Sequence, residues 1–287
     1  RLAMMRPAGP ADVAALRGFL ETHIETSMFL LGNLEAHGVG GSAHDHATRY
    51  FLWQEAGEIT GVFGVTRSGY LMCQMPAMTA AAAGAFARAL EGTPILGMTG
   101  AADQVQRVLD VFALPTSLWQ VNEVQPLYGL DCAGLPESAD ALRPAQEDDK
   151  ALLAEWFTTL LLDTGMAAGP AAREQGAARA MAAIGSERFA FLSEAGQPVA
   201  MSSITARAGQ AVQVGGVFVP RALRGQGLGG RMVAAQLRQW RARGIARAIL
   251  FAASPTAAKA YERIGFRRRG DYRVALLKQG HILGAAT

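Results

Sequence analysis

The sequence predicts an α/β chain of two successive domains, each a sheet flanked by helices. Three observations predict it. Helical and strand periodicities alternate along all 287 residues. Residues 211–266 read as strand, glycine-rich turn, helix, strand, helix. Short matches in the two halves recur at nearly one spacing, the mark of an internal duplication.

Taken in order, apolar residues at helical spacing predict helices over residues 11–23 and 26–36. The loop at residues 38–47 is glycine-rich and carries His44-Asp45-His46. Two imidazoles and an acid are metal-ligand types, but nothing nearby in sequence completes a site, and a solvated loop is expected. Strands follow at 50–54, 59–66 and 70–74, separated by turns at Ala56-Gly57 and Ser68-Gly69. An alanine-rich helix at 78–90, a strand at 94–98, a helix at 101–112 and a strand at 120–130 complete the half. Residues 133–141 hold Gly, Pro, Ser and Asp, a short linker. The expected domains are therefore 1–132 and 142–287.

The second half restarts the pattern. Met5-Arg6-Pro7-Ala8 corresponds to Leu142-Arg143-Pro144-Ala145, and Asp12, Leu16 and Phe19 to Asp149, Leu153 and Trp156, at an offset of 137 residues. Glu55-Ala56-Gly57 corresponds to Glu194-Ala195-Gly196, again between strands. Helices are expected at 148–163 and 171–184, and strands at 189–192, 199–206 and 212–219.

The second half also carries the candidate site. Val212 and Val214 share one strand parity, and Val217 and Val219 the other, with Gly215-Gly216 between. One extra residue there, a β-bulge, returns all four valines to one face. The turn Arg224-Gly225-Gln226-Gly227-Leu228-Gly229-Gly230 then opens a helix through Met232, Val233, Leu237 and Trp240. Its first turn has no acid and almost no side-chain bulk. Free backbone N–H groups at the positive end of a helix dipole make an anion site, best suited to a pyrophosphate. Gly225, Gly227 and Gly230 also satisfy G-x-G-x-x-G. A nicotinamide site would need its first glycine directly after the strand and an acid ending the next one. Here residues 220–224 intervene, and the strand at 248–253 has no acid.

These residues resemble the GNAT acyltransferase superfamily. Arg224-Gly225-Gln226-Gly227-Leu228-Gly229 matches its coenzyme A motif, flanked by Val217-Phe218-Val219-Pro220 and by Ala257 with Tyr261-Glu262-Arg263-Ile264-Gly265-Phe266. The resemblance implies two tandem domains, each with a mostly antiparallel sheet flanked by helices. It further implies an N-acetyltransferase that uses acetyl-coenzyme A as cosubstrate and a primary amine as acceptor. On it, coenzyme contacts fall to Val217, Phe218, Val219, Arg224, Gly225, Gln226, Gly227, Leu228, Gly229, Gly230 and Ser254. Tyr261 takes the role of general acid, with core packing as its other reading, and a backbone N–H near Val217 holds the oxyanion. The two early helices would border the acceptor cleft, near Trp156, Phe157 and Asp163, although Trp156 and Phe157 lie on an apolar helix face. Two features depart from the family. Ser254 stands where an Asn often holds the pantetheine arm, and it also reads as an N-cap before Pro255. No Asp or Glu occupies the positions of a general base; Gly216 and Ile249 do. These departures keep open a different class, a non-catalytic acyl-coenzyme A sensor.

The first half resembles a degenerate copy, with Met78-Thr79-Ala80-Ala81-Ala82-Ala83-Gly84 in place of the glycine loop. Net charge divides unevenly. Residues 1–140 hold 7 basic against 14 acidic side chains, and residues 141–287 hold 20 against 10. The basic half lacks the aromatic interleaving of a nucleic-acid surface, so no nucleic-acid partner is expected. No apolar run reaches a membrane span, and two cysteines, Cys73 and Cys132, suit a reducing cytoplasm.

Overall fold

The computed structural model describes residues 3–284. Packing divides the chain into two compact units, one of residues up to Gln125 together with those from Gly270 onward, the other Pro126–Arg269. The sequence division placed the change at residues 132–142. The difference arises because each unit takes one strand from the other half of the chain.

The first unit runs β1 (Met4–Pro7), α1 (Val13–Thr22), α2 (Met28–His37), β2 (Thr48–Glu55), β3 (Glu58–Thr66), β4 (Tyr70–Gln74), α3 (Ala80–Ala89), β5 (Pro94–Ala101) and α4 (Ala102–Phe112). Strand β6 (Trp119–Asp131) then leaves it. The second unit repeats the order: β7 (Ala141–Arg143), α5 (Lys150–Asp163), α6 (Gly169–Ala183), β8 (Phe189–Glu194), β9 (Gln197–Ala208), β10 (Ala211–Phe218), α7 (Leu228–Arg241), β11 (Arg247–Phe251) and α8 (Pro255–Arg263). Strand β12 (Arg267–Ile282) returns to the first unit.

Within each unit the strand order and directions are the same. The first unit is β1-β2-β3-β4-β5-β12, antiparallel except for the parallel pair β4–β5. The second is β7-β8-β9-β10-β11-β6, antiparallel except for β10–β11. Residues Tyr272–Leu276 pair with β5, and Leu127–Asp131 pair with β11. Sixteen-residue β12 has no sequence-based expectation, because its alternation is broken by the basic run Arg267-Arg268-Arg269 and by Gly270. The exchange also redistributes charge. By unit, residues up to 125 and from 270 hold 9 basic against 12 acidic side chains, and residues 126–269 hold 18 against 12.

Local geometry supports duplication residue by residue. Arg6 grips Asp12 through two bonds of 2.9 and 2.7 Å, and the Gly9 N–H donates to the same carboxylate at 2.8 Å. At the start of the second unit, Arg143 grips Asp149 through two bonds of 2.8 Å, and the Gln146 N–H donates at 2.8 Å. The β2–β3 turn has Ala56 at φ 51° and Gly57 at 84°, and the β8–β9 turn has Ala195 at 50° and Gly196 at 77°. Two successive positive φ values are what a two-residue hairpin turn of matching twist requires.

Apolar side chains fill both faces of the second sheet. On one face Val212, Val214, Val233, Leu237, Trp240 and Leu250 pack beneath α7. On the other, Phe189, Phe191, Met201 and Phe218 of the sheet pack with Trp156 and Phe157 of α5 and Ala180 and Ala183 of α6. Trp156 and Phe157 are therefore core residues.

Candidate coenzyme site

The bulge lies where the valine parity places it. Gly215 pairs with Ser203 and Phe218 with Met201, so Gly216 and Val217 together oppose Ser202. Gly216 adopts φ 60°, in the left-handed region that a residue with a β-carbon enters at a cost. After the bulge, Val217 packs against the cluster of Val212 and Val214, and Val219 against Leu228 and Met232 of α7. All four valines thus face α7, and Phe218 faces α5. Ser202 donates to Gln236 Oε1, and the Gln236 Nε2 donates to the Arg188 carbonyl at 3.0 Å. That buried exchange pins α7 to the strand opposite the bulge.

Pairing between β10 and β11 covers only Ala211–Val214 against Arg247–Leu250. Beyond Val214 the two parallel strands have no register partners, and Gly215–Phe218 keeps pairs only on its β9 side. A splayed parallel pair frees the N–H groups that a ladder would consume.

Nine residues, 219–227, connect β10 to α7. Gly225 at φ 84° and Gly227 at 78° take left-handed conformations, and a methyl on either would meet nothing within 4 Å. Their lack of side chains therefore serves backbone shape and leaves open space over the loop. Gly230 differs: a methyl there would sit 3.2 Å from the Ala260 carbonyl, so this glycine lets α7 approach α8. Gly229 faces Val219 at an ordinary 3.8 Å. The first helical bond is donated by the Arg231 N–H to the Gly227 carbonyl at 3.2 Å. The N–H groups of Leu228, Gly229 and Gly230 thus have no acceptor within the helix, and the dipole end is positive. Gln226 is exposed, and the Leu228 side chain is buried in the core.

Arg224 is the fixed edge of the loop. Its Nε donates to the Val219 carbonyl at 2.9 Å and its Nη2 to Asp163 at 3.1 Å, with the guanidinium 5.5 Å from the Phe218 ring centre. Arg221 adds a longer contact of 3.9 Å to the same carboxylate. Asp163, expected near an acceptor cleft, instead anchors this loop to the end of α5.

Tyr261 lies on α8, buried among Val233, Ala252 and Phe266, with the Phe266 ring edge-on at 6.1 Å. Burial pushes its phenol up to about 12. The group therefore keeps its proton at neutral pH and is available as a proton donor. The neighbouring Glu262 accepts the Tyr128 hydroxyl at 2.8 Å, a contact that sequence periodicity did not disclose. Ser254 caps α8, its Oγ accepting from the Ala257 N–H at 3.1 Å. The linker is ordered against the far end of α7. Arg241 donates to the carbonyls of Cys132 and Leu135 and to Glu137, and Arg238 to that of Pro136. The open groove beside these arginines lies about three to four helical turns from the glycine loop.

Coenzyme A carries a pyrophosphate and a long, thin pantetheine arm. The glycine loop offers uncovered N–H groups at an N-terminus, and the splay offers a slot beside Gly215–Phe218, beyond the last β10–β11 pair. The residues present fit such a group.

In the first unit, His44 stacks on His37 at 4.3 Å between ring centres in an exposed loop. Among the described residues no cluster of His, Cys, Asp or Glu is arranged to hold a metal ion, and no helix is long and apolar enough to cross a membrane.

Residues 166–275 match the family model described as acetyltransferase (GNAT) domain. A tandem GNAT protein from the clavulanic acid biosynthesis pathway has the same fold over 100% of both chains, with a TM-score of 0.54 and 12% identity. A Drosophila protein aligns over 96% of this chain and 99% of its own, at TM-score 0.60 and 15% identity. A GCN5-related N-acetyltransferase from Sphaerobacter thermophilus aligns over 95% and 94%, at 0.53 and 16%. Comparison with curated proteins found no match.

Proposed function

Because the chain carries the tandem GNAT fold, we propose that its second unit is an N-acetyltransferase that moves the acetyl group of acetyl-coenzyme A to a primary amine. The observation that carries this reading is the splay of β10 from β11 beside the uncovered glycine N-terminus of α7. The N–H groups of the loop and of Leu228–Gly230 bind the pyrophosphate. Backbone of Val217 to Val219 aligns the pantetheine arm in strand fashion. The Val217 N–H, at the bulge, meets the developing oxyanion. Tyr261, protonated throughout the working pH range, supplies a proton to the departing sulfur. Two buried, unpaired thiols, Cys73 and Cys132, suit a reducing compartment such as the cytoplasm.

Titration with acetyl-coenzyme A, followed by thiol release with a panel of primary amines, tests this reading. Binding with release supports it, and absence of binding removes it. A second reading, a non-catalytic acyl-coenzyme A sensor, draws support from Ser254, whose Oγ is engaged as a helix cap. Tight binding with no release for any amine would favour it.

A further inference from the structure

We propose that the acceptor of this site is an uncharged amine of low basicity, an α-amino or aromatic amine on a neutral body, which arrives already deprotonated. The inference rests on the acyltransferase reading above. It comes from the sheet face opposite α7, where the bulge meets α5. Ser203, Thr205, Gly215 and Gly216 form this floor, with Phe157 beside it. A methyl on Gly216 would lie 3.5 Å from Ser203 Oγ and 3.8 Å from the Phe157 ring. The connection that continues from α5, residues 164–168, reads Thr-Gly-Met-Ala-Ala and carries no charge.

The carboxylates on the elements around this floor are engaged or turned away, and the cations there offer an ammonium no counter-charge. Asp163 is held by Arg224 and Arg221. On α5, Lys150 and Glu155 are exposed, and Glu155 lies on the helix face opposite the buried Leu153, Trp156 and Phe157. On α6, Arg173, Glu174 and Arg179 are exposed, whereas Ala172, Gly176 and Ala180 turn inward. From β9, Arg207 lies over Trp240 on the other face of the sheet. Arg247 sits at the far end of β11, paired with Ala211. From α8, Lys259 is exposed, Glu262 holds the Tyr128 hydroxyl, and Tyr261 keeps its proton. Among the described residues of this unit, no carboxylate or imidazole at the floor is available to pair with an ammonium or to deprotonate one.

An ammonium placed there would lose its hydration without gaining a counter-charge. Attack therefore falls to the fraction of acceptor that is neutral in solution. At pH 7.4 that fraction is about 0.1% for an alkylamine with the pKa of lysine, ~10.4, and about 30% for an α-amino group near ~7.8. The step balances simply. The amine nitrogen bonds to the acyl carbon, the C–S bond breaks, the Tyr261 proton goes to sulfur, the amine proton leaves to water, and water returns a proton to the Tyr261 phenolate.

The test is thiol release by the full chain with acetyl-coenzyme A and four acceptors: phenylalanine amide, an aniline, the size-matched phenethylamine, and spermidine. At pH 7.4, kcat/KM should be at least ~100-fold higher for the first two than for phenethylamine, with spermidine slowest. The alkaline-rising limb of each pH profile should move with the pKa of its own acceptor. Spermidine as the best acceptor, or a limb fixed at one pH for all four, would overturn this inference alone. No release with any acceptor, in a chain that binds the coenzyme by titration, would overturn the acyltransferase reading and this inference together.

Discussion

Gln104 donates from its Nε2 to Gln74 Oε1 at 3.1 Å, while its own Oε1 accepts from the Met75 N–H at 2.8 Å. This buried pair occupies the first unit's counterpart of the proposed coenzyme slot. There, pairing of β4 with β5 ends at Met72 and Thr99, as pairing of β10 with β11 ends at Val214 and Leu250. Gln104 is the third residue of α4; the third residue of α8 is Ala257, which reaches nothing comparable. The loop before α3 is five residues rather than nine, and Thr79 caps the helix by accepting from the Ala82 N–H at 3.1 Å. The amide pair lies where the slot would open, and the Thr79 hydroxyl takes one N–H at the start of α3. Isothermal titration should give one coenzyme per chain, and a ratio near two would sink this assignment.

Breaking the plug should cost stability without creating a site. Gln104→Ala leaves the Met75 N–H and Gln74 Oε1 buried without partners, a loss of roughly 1–3 kcal/mol for each group so exposed. The denaturant midpoint should fall while the coenzyme stoichiometry stays at one. An unchanged midpoint would show that water or another side chain replaces the amide.

The glycine loop predicts a loss of the opposite kind. Gly227→Glu places a carboxylate in the open space above α7 and forces a residue with a β-carbon to φ 78°. Acetyl-coenzyme A affinity should fall by more than about 2 kcal/mol, the scale of a lost charged hydrogen bond with added repulsion. Circular dichroism separates this from unfolding, and a folded variant with unaltered affinity would remove the pyrophosphate assignment.

Tyr261→Phe keeps the ring that packs on Phe266 and removes only the proton donor. Turnover should drop by roughly 10- to 100-fold, at the low end of acid–base contributions because a thiolate leaves readily. KM for the coenzyme should hardly change. With the phenol pushed up to about 12, the wild-type rate should show no falling limb from this group below pH 10. Full activity in the variant would leave Tyr261 a packing residue.

How much of this was legible depends on the kind of signal. The bulge could be read because two parities conflict across Gly215-Gly216, and strand parity survives any tertiary context. The glycine loop was legible because open backbone conformations need particular residues. The exchange of β6 and β12 was not. A strand's sequence records which faces are buried, and it carries no record of which of two equivalent edges it joins. The pairing of Asp163 with Arg224, 61 residues apart, left no local trace, and neither did the Gln104 plug, which in sequence is one more glutamine on a helix. Gly230 was legible as part of the motif, but its closeness to the Ala260 carbonyl of α8, a second reason for a glycine there, was not.

The repeated clasp supplies a pH-dependent prediction. Arg143 and the Gln146 N–H hold the Asp149 carboxyl below the usual carboxylate range, and Arg6 with the Gly9 N–H holds that of Asp12 at about 2. Each carboxylate is lowered on folding, so its stabilisation is complete above the unfolded pKa of roughly 4 and is lost as pH falls through the folded value. Asp149→Asn should therefore lower the melting temperature at pH 7 by a few degrees, on the scale of about 1 kcal/mol for a part-buried bidentate pair. The gap between variant and wild type should narrow steadily as pH is taken from 4 toward 2. Asp12→Asn should behave in parallel in the first unit, with its gap persisting until the pH approaches 2. Thermal scans of the two variants at pH 7, 4, 3 and 2 decide the matter: a gap that widens on acidification would mean that the clasp is not what lowers these carboxyls.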